Sequence, residues 1–403
     1  MALRGRVLHL SENLTLPFDR RVWMELNALR AAGLEVSAIC PTGDAHPARF
    51  EIIDGIPIWR YPAPPPTRGF LSYVWEFLYC WLWTAWLTMV VLVTRGFDVI
   101  HAANPPDTFW AIALPYKLLG KRYVFDHHDL CPELYVARFG EARQGSLAHR
   151  ALGWLEWAQF RTADLVISTN ESYRQVAMAR GGVVPERVVV VRSGPSRERF
   201  AVVRAVDPAL KRGRPYLVAY LGVMAPQDGV DHLLRAAQHL VCVRGRKDVT
   251  FTLIGAGDSF ADLRALNRKL GLEAFVHFTG RIPDEEVEVT LATADVCVSP
   301  DPRNPLNDVS TMNKVLEYMA CGRPVVAFDL REHRFSAGEG ALYAEPNRDE
   351  DLAAKIGELL DDPERRARMG AYNRQRFLER MAWEHNAGEL IRAYERLCGT
   401  NGR

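Results

Sequence analysis

Short apolar, β-branched runs alternate with stretches of helical hydrophobic periodicity along almost the whole chain. In the first half the apolar runs predict strands at Arg6–Leu10, Val36–Cys40, Ile58–Tyr61, Asp98–Ala102, Tyr123–Phe125, Leu165–Thr169 and Val188–Val191. In the second half they predict strands at Leu217–Gly222, Thr250–Ile254, Val276–Thr279, Val296–Ser299, Val325–Phe328 and Ala341–Tyr343. Helical patterns lie between most of them. Strands of this kind, alternating with helices, specify parallel sheets covered on both faces. The series breaks near the middle, where Ser193-Gly194-Pro195 ends a strand and the charged stretch from Arg197 to Pro215 carries Gly213. The pattern therefore predicts two doubly wound α/β domains, residues 1–195 and 216–380, joined by a linker at 196–215. A last helix falls within 381–403, beyond the second set of strands.

Composition narrows the class. A chain of 403 residues suits two or three domains, and 48% hydrophobic with 25% charged residues is an ordinary globular mixture. That excludes a wholly disordered chain, a collagen and a simple coiled coil. The formal net charge of +1 gives no footprint for duplex nucleic acid. Forty-three of the basic residues are Arg and seven are Lys, so a phosphate clamp here falls more readily to Arg. The seven cysteines are scattered without a C-x-x-C pair, which argues against a disulfide framework or zinc site and for a reducing compartment. The first ten residues read as a strand rather than a signal peptide, and a cytoplasmic protein is expected. Pro62-Ala63-Pro64-Pro65-Pro66 reads as a stiff loop.

One segment departs from the globular pattern. From Phe77 to Thr94 there are eighteen residues without a charge, including Trp81, Trp83 and Trp86. Eighteen is the lower edge of a membrane span, yet tryptophan prefers the interface and a strand follows at once. The segment reads as a helix that is buried or lies on a surface. Helical spacing aligns Trp75, Tyr79, Leu82, Trp86, Val90 and Val93, while the other side carries Trp81, Trp83 and Thr84. A second apolar contact, protein or lipid, has to cover the far side. The expectation is peripheral association with a membrane, in which Trp81 and Trp83 make the lipid contact.

Ligands of a doubly wound sheet bind beyond its strand C-termini. Three places there carry chemistry. Gly255-Ala256-Gly257 follows a strand and suits either a close ligand or a tight turn before a helix. A strand ends at Ser299, a polar loop runs from Asp301 to Ser310, and a helix begins near Thr311-Met312-Asn313, where free N–H groups suit a diphosphate. Lys314 adds a charge on its first turn, and Glu317, one turn on, can accept from the vicinal hydroxyls of a ribose. In the first half, Asp126-His127-His128-Asp129 ends a strand; the cluster invites a metal or a structural reading as well as a catalytic one. Asn104-Pro105-Pro106-Asp107 follows another strand and suits acceptor contact or a turn.

The block from Lys314-Val-Leu-Glu317 to Gly322-Arg-Pro324 resembles the donor-binding signature of GT-B glycosyltransferases, specifically retaining glycosyltransferase family 4. Tyr220-Leu-Gly222 with Gly229-Val-Asp-His resembles the opening of that family's donor domain, and Phe278-Thr-Gly280-Arg281-Ile282 its nucleobase loop. Trp383 and Tyr394 resemble its C-terminal helix. The likeness covers nearly the whole chain and is greatest to bacterial polysaccharide and O-antigen enzymes. It implies two Rossmann-like domains facing a central cleft, the first binding acceptor and the second the nucleotide-sugar donor, with the last helix crossing back onto the first. It also implies retention of anomeric configuration, a UDP-sugar donor, and a glycan or polyprenyl-linked acceptor in polysaccharide biosynthesis. No metal or separate cofactor is expected, and no nucleic-acid partner. A nucleotide-sugar epimerase of the same fold and a non-catalytic nucleotide-sugar-binding subunit are the alternatives.

Carried over residue by residue, the resemblance assigns catalysis to His128, Asp308 and Glu317. It assigns donor binding to Gly222, Gly255, Gly257, Arg281 and Ile282, to Asp308 again, and to the run Ser310, Thr311, Met312, Asn313 and Lys314 with Glu317. Acceptor contacts fall to Asn13, Asn104 and Asp107. The chain departs from the family in three places. Val309 stands where a Glu is usual, with Asp308 beside it. The Arg and Lys after Gly222 are missing, and an acid, Asp228, stands at the Lys position. Ser11-Glu12-Asn13-Leu14 replaces a Gly-Gly loop. The expected location is cytoplasmic, peripheral on the inner face of the cell membrane.

Overall fold

The computed structural model describes residues 3–64, 70–202 and 204–399, with side chains described from Trp75 onward in the helix that begins at Phe70. Part of the proline tract, Pro65 and Pro66, lies outside these residues. The chain forms two compact units, Met1–Arg192 with Asn386–Arg403, and Ser193–His385.

The first unit runs β1 (Arg6–Leu10), α1 (Arg20–Ala31), β2 (Glu35–Pro41), β3 (Phe50–Ile53), β4 (Ile56–Tyr61), α2 (Phe70–Thr94) and β5 (Val99–Ala103). It continues with α3 (Phe109–Leu118), β6 (Arg122–His127), α4 (Cys131–Phe139), α5 (Leu147–Thr162), β7 (Leu165–Ser168), α6 (Glu171–Ala179) and β8 (Val188–Val190). Its sheet has the order β3-β4-β2-β1-β5-β6-β7-β8. All neighbours are parallel except β3 and β4, which are antiparallel. β3 is the strand the apolar pattern does not reveal. It lies at the sheet edge, where Phe50 and Ile52 stay exposed. Its signal is the turn: Asp54 and Gly55 both take positive φ, 48° and 76°, as a two-residue hairpin requires.

The second unit runs β9 (Tyr216–Leu221), α7 (Val230–Gln238), β10 (Val249–Ile254), α8 (Phe260–Lys269), β11 (Val276–Gly280), α9 (Asp284–Thr293) and β12 (Val296–Ser299). Then follow α10 (Asn313–Ala320), β13 (Val325–Phe328), α11 (Arg331–Ala337), β14 (Ala341–Ala344), α12 (Asp349–Asp361), α13 (Pro363–Arg376) and only the first residues of α14 (Trp383–Gly399). The sheet is wholly parallel, in the order β11-β10-β9-β12-β13-β14. Residues 196–215, read from sequence as a linker, are part of this unit. Phe200 is buried among Leu217, Val315, Leu316 and Phe377, and Arg199 and Arg204 both pair with Glu288 on α9. Residues of α14 from Asn386 onward belong to the first unit, where the Tyr394 hydroxyl meets His101 Nδ1 at 2.9 Å on β5.

Helix α2 corrects the expectation about its faces. Cys80, Thr84, Thr88 and Val91 are buried, and Trp81 and Trp83 are half-buried against the core under the helix. Trp75, Leu78, Leu82, Trp86, Met89 and Val93 point to solvent. The small residues take the inner stripe because the sheet beneath already offers bulky side chains such as Leu8, Tyr61 and Ile100. Trp81 Nε1 is directed at the Thr108 carbonyl, 3.4 Å away, which also fixes it inward.

Candidate functional site in two strand-end clusters

In the second unit the strand ends converge on Lys314. This residue sits on the first turn of α10 and is buried. Its Nζ lies 2.6 Å from Asp301 Oδ1, 3.5 Å from Asp228 Oδ1, and 5.1 Å from the centre of the Tyr220 ring. Burial alone would lower its pKa, but Asp301, Tyr220 and Asp228 outweigh burial and hold it well above the ordinary lysine value. The acid that replaces the expected basic residue at 228 is thus a partner of Lys314. Burial raises the Asp228 carboxyl more than Lys314 lowers it.

Helix α10 begins after Met312, whose side chain makes no capping hydrogen bond to its first turn. Glu317 follows one turn later, with Arg199 Nη2 3.4 Å from its Oε2. Arg199 lies over a hundred positions away in sequence, and no local pattern points to it. Around the helix start, Ser310 Oγ donates to the Leu306 carbonyl and Thr311 Oγ1 to Glu332. Asp308 faces the beginning of α11, accepting from the Arg331 N–H at 3.2 Å. Ile282 packs on the core, and Arg281 beside it is exposed.

The glycines here are required by the fold itself. A Cβ on Gly255 (φ 127°) would stand 1.9 Å from the Gly222 carbonyl oxygen, and one on Gly257 2.5 Å from that of Met224. The two strand ends, β9 and β10, touch backbone to backbone, and only glycine permits it.

The first unit gathers a different cluster. Arg21, on α1, is buried. Its guanidinium donates to Asp126 Oδ1 at 2.9 Å, to the Val191 carbonyl at 2.8 Å and to His128 Nε2 at 2.7 Å, and lies 3.0 Å from Glu25. His128 Nε2 is also 2.5 Å from Asp126 Oδ2. His9 and His101 stand beside these groups on β1 and β5, their rings 4.7 Å apart. Burial would raise the Asp126 carboxyl, but Arg21 and His128 outweigh it and hold it well below the ordinary value. Glu25 is pushed well above its ordinary value by burial, against the pull of Arg21.

The Asp126-His127-His128-Asp129 run does not act as one set. Neighbours along a strand point to opposite faces: His127 lies among Phe125, Phe160 and Tyr173, and burial lowers its pKa to about 3. The groups that approach as ligands would are His9, Glu25 and His101, and Glu25, Asp126 and His128. Arg21 supplies the cation between Glu25 and Asp126. Of this cluster the sequence reading named His128 and Asp126 and missed Arg21, Glu25, His9 and His101. A polar residue in the middle of an apolar strand, His9 in Val7-Leu8-His9-Leu10 and His101 in Val99-Ile100-His101-Ala102, was the available signal.

Of the three acceptor candidates, Asn13 is exposed. Asn104 is buried and fully engaged: its amide donates to Asp107 and to the Asp129 carbonyl, and its oxygen accepts from the His128 and Asp129 N–H groups. It holds the backbone of His128 rather than offering polar atoms outward. Asp107 is buried with it, its pKa raised by burial to about 6.

Two family models match the chain. Residues 19–194 match the glycosyl transferase 4-like domain, and residues 215–362 match glycosyl transferases group 1. The MMP alpha-(1->4)-mannosyltransferase of Mycolicibacterium hassiacum is 31% identical over 53% of this chain and 49% of its own length. The chain thus spans about half of that curated relative. Among solved structures, sucrose-phosphate synthase from Thermosynechococcus elongatus superposes with a TM-score of 0.78 at 21% identity, covering 98% of this chain and all of the other. Anabaena HepE, solved with UDP and glucose, gives 0.72 at 17% identity, covering 97% of this chain and all of the other. The chain has the GT-B glycosyltransferase fold.

Proposed function

We propose that the chain is a retaining glycosyltransferase of family 4 that moves a sugar from a nucleotide sugar, a UDP-sugar, to a glycan or lipid-linked acceptor in bacterial polysaccharide synthesis. The observation that carries this is the start of α10: a helix end that the Met312 side chain does not cap, Lys314 on its first turn and Glu317 one turn on. In this reading the N–H groups before Lys314 take the diphosphate and Glu317 takes the ribose hydroxyls, releasing Arg199. Gly222, Gly255 and Gly257 keep the strand ends low enough for a donor to approach, and Ile282 and Arg281 border the base. Support for a UDP donor comes from HepE, which shares the fold and was solved with UDP and glucose.

Chemistry falls to leaving-group stabilisation. The diphosphate departs as the acceptor hydroxyl attacks on the same face and gives its proton to the departing phosphate oxygen, and the site's work is to hold that charge and shield an oxocarbenium-like sugar. Lys314 joins this work by exchanging Asp228, its more distant partner, for phosphate. By the family resemblance His128 is the counterpart of a residue that acts on the transferred sugar, and within the first unit Asp126 and Arg21 orient it. No metal and no cofactor beyond the donor is invoked. The enzyme works in the cytoplasm, on the inner face of the cell membrane where a lipid-linked acceptor resides.

The test is a mass-spectrometric screen of UDP-, GDP- and ADP-sugars against the purified chain. Slow release of UDP and free sugar, with transfer on adding a membrane glycolipid extract, is the expected result. Binding without turnover of any donor favours the binding-subunit reading. Interconversion of donor sugars favours the epimerase.

A further inference from the structure

The first unit covers one face of its sheet with a layer of helices whose outer side is apolar. The connections β4–α2–β5, β5–α3–β6 and β6–α4–α5–β7 all step the same way across the sheet order. Right-handed crossovers therefore place α2, α3 and α5 on the same face. Contacts join them side by side: Trp81 on α2 reaches Thr108 at the start of α3, and Trp110 on α3 meets Trp154 on α5 with ring centres 5.8 Å apart.

The outward residues are those a globular surface normally excludes. From Trp75 to Thr94, α2 has a mean hydropathy of 1.7, and only 28% of that stretch is buried. Leu82 and Trp86 are each more than half exposed, and Val93 is 82% exposed. Leu118 on α3 is 83% exposed, and Trp154 and Trp157 continue the surface on α5. A surface helix usually turns its apolar stripe inward. Helix α2 does the reverse, burying Cys80, Thr84 and Thr88 and presenting its large side chains. Apolar patches of this extent mark an interaction surface.

Charge identifies the occupant. Across α2 from Trp75, α3 and α5, the exposed charged side chains are Arg150 and Arg161, joined by Arg95 just beyond α2. The carboxylates on the same helices are withdrawn: Glu76 is half-buried, and Glu156 is buried and bonded to Arg180. Arginine around exposed tryptophan and leucine, with no exposed carboxylate on these three helices, matches an anionic bilayer, with tryptophan at headgroup depth; of the carboxylates at the helix ends, Asp98 past α2 is paired with Arg6 and Lys121, and Glu141 before α5 is exposed. Two copies meeting through this face would set arginine against arginine.

We propose that this helical layer is a docking face for an anionic lipid bilayer, with α2 lying in the interface as part of the folded unit rather than crossing the membrane. Spanning would tear Cys80, Thr84 and Thr88 from the sheet they pack on. The face stands on the fold and surface of the first unit alone and holds whether or not the proposed sugar transfer does. It also moves the lipid contact from Trp81 and Trp83, which are fixed inward, to Leu82, Trp86 and their outward neighbours.

The experiment is flotation of the purified full chain with phosphatidylglycerol-rich or pure phosphatidylcholine vesicles, together with quenching of its tryptophan fluorescence by bromine-labelled acyl chains. Expected are flotation with the anionic vesicles, weaker flotation with phosphatidylcholine, and quenching only in the presence of vesicles. Leu82→Ser with Trp86→Ser should lower partitioning at least about tenfold with an unchanged thermal midpoint. Arg150→Glu with Arg161→Glu should remove the preference for phosphatidylglycerol. A folded wild type that neither floats nor is quenched overturns the proposal, and this arm needs no variant. So does a non-floating wild type that self-associates in sedimentation and is dispersed by the Leu82 and Trp86 changes.

Discussion

Both units end their sheets in the same electrostatic device, one cation between two carboxylates, and they use it differently. In the first, Arg21 lies between Glu25 and Asp126, and all three are buried. In the second, Lys314 lies between Asp301 and Asp228, and Asp228 keeps 17% of its side chain exposed at the longer distance of 3.5 Å. Arginine's planar fork bonds Asp126, the Val191 carbonyl and His128 at once, fixing α1, β6 and the chain after β8 together. Lysine is a point charge on a flexible stem and can change partners. The first cluster holds geometry; under the proposed function the second is the one an arriving diphosphate rearranges.

The largest effect should come from breaking the first cluster. Arg21→Ala leaves two carboxylates buried without their cation, a loss of ~3–5 kcal/mol by the usual cost of orphaning a buried pair. Arg21→Lys should recover little of it, because an ammonium cannot span the three acceptors. Urea unfolding of both variants checks this, and a loss under about 1 kcal/mol would show the cluster to be dispensable. The same cluster sets an acid limb. Asp126 has a folded pKa below its unfolded one, so its contribution is present above the unfolded value, near pH 4, and fades as pH falls through the folded value. Glu25 is shifted the other way, so its contribution fades as pH rises. Unfolding midpoints measured down through the acid range should therefore drop, and the drop should flatten in Asp126→Asn.

Glu317 comes next. It keeps only 16% exposure, beside Arg199. If it holds the donor ribose, Glu317→Ala weakens donor binding by ~2–3 kcal/mol, the range for a charged hydrogen-bonding group. Calorimetric titration with the donor reads it. Unchanged affinity in the folded variant removes Glu317 from the site.

The two clusters were unequally legible. The second unit's site is local: Lys314 and Glu317 share one helix, and their strand-end position follows from the alternation of apolar runs. What stayed hidden there was Arg199, brought in by a segment whose charge and prolines suggested a linker. The first unit's cluster draws one or two residues from each of β1, α1, β5 and β6. None of these carries a motif, and only His128 and Asp126 belong to a visible run. Strand positions were plain because a buried parallel strand must be apolar on both faces. β3 escaped because an edge strand need not be, and α2's inner face escaped because periodicity fixes a stripe's spacing but not which stripe meets the sheet.

The smallest effect should come from Asp228, and it discriminates most finely between the two devices. Asp228 accepts from the Ala225 N–H at 3.2 Å and stands 3.5 Å from Lys314. Asp228→Asn keeps an oxygen for that N–H and the same volume, so the fold should be unaffected. It removes one of the two charges competing with a diphosphate for Lys314. Donor affinity should then rise three- to tenfold, ~0.7–1.4 kcal/mol, and the gain should shrink as salt screens it. Because burial raises the Asp228 carboxyl, lowering the pH should move the wild type toward the variant by protonating it earlier than an ordinary aspartate. The matching change in the first unit, Asp126→Asn, should leave donor affinity alone and cost stability instead. Weaker donor binding in Asp228→Asn would mean that the carboxylate touches the donor itself, and Lys314 would then be as fixed as Arg21.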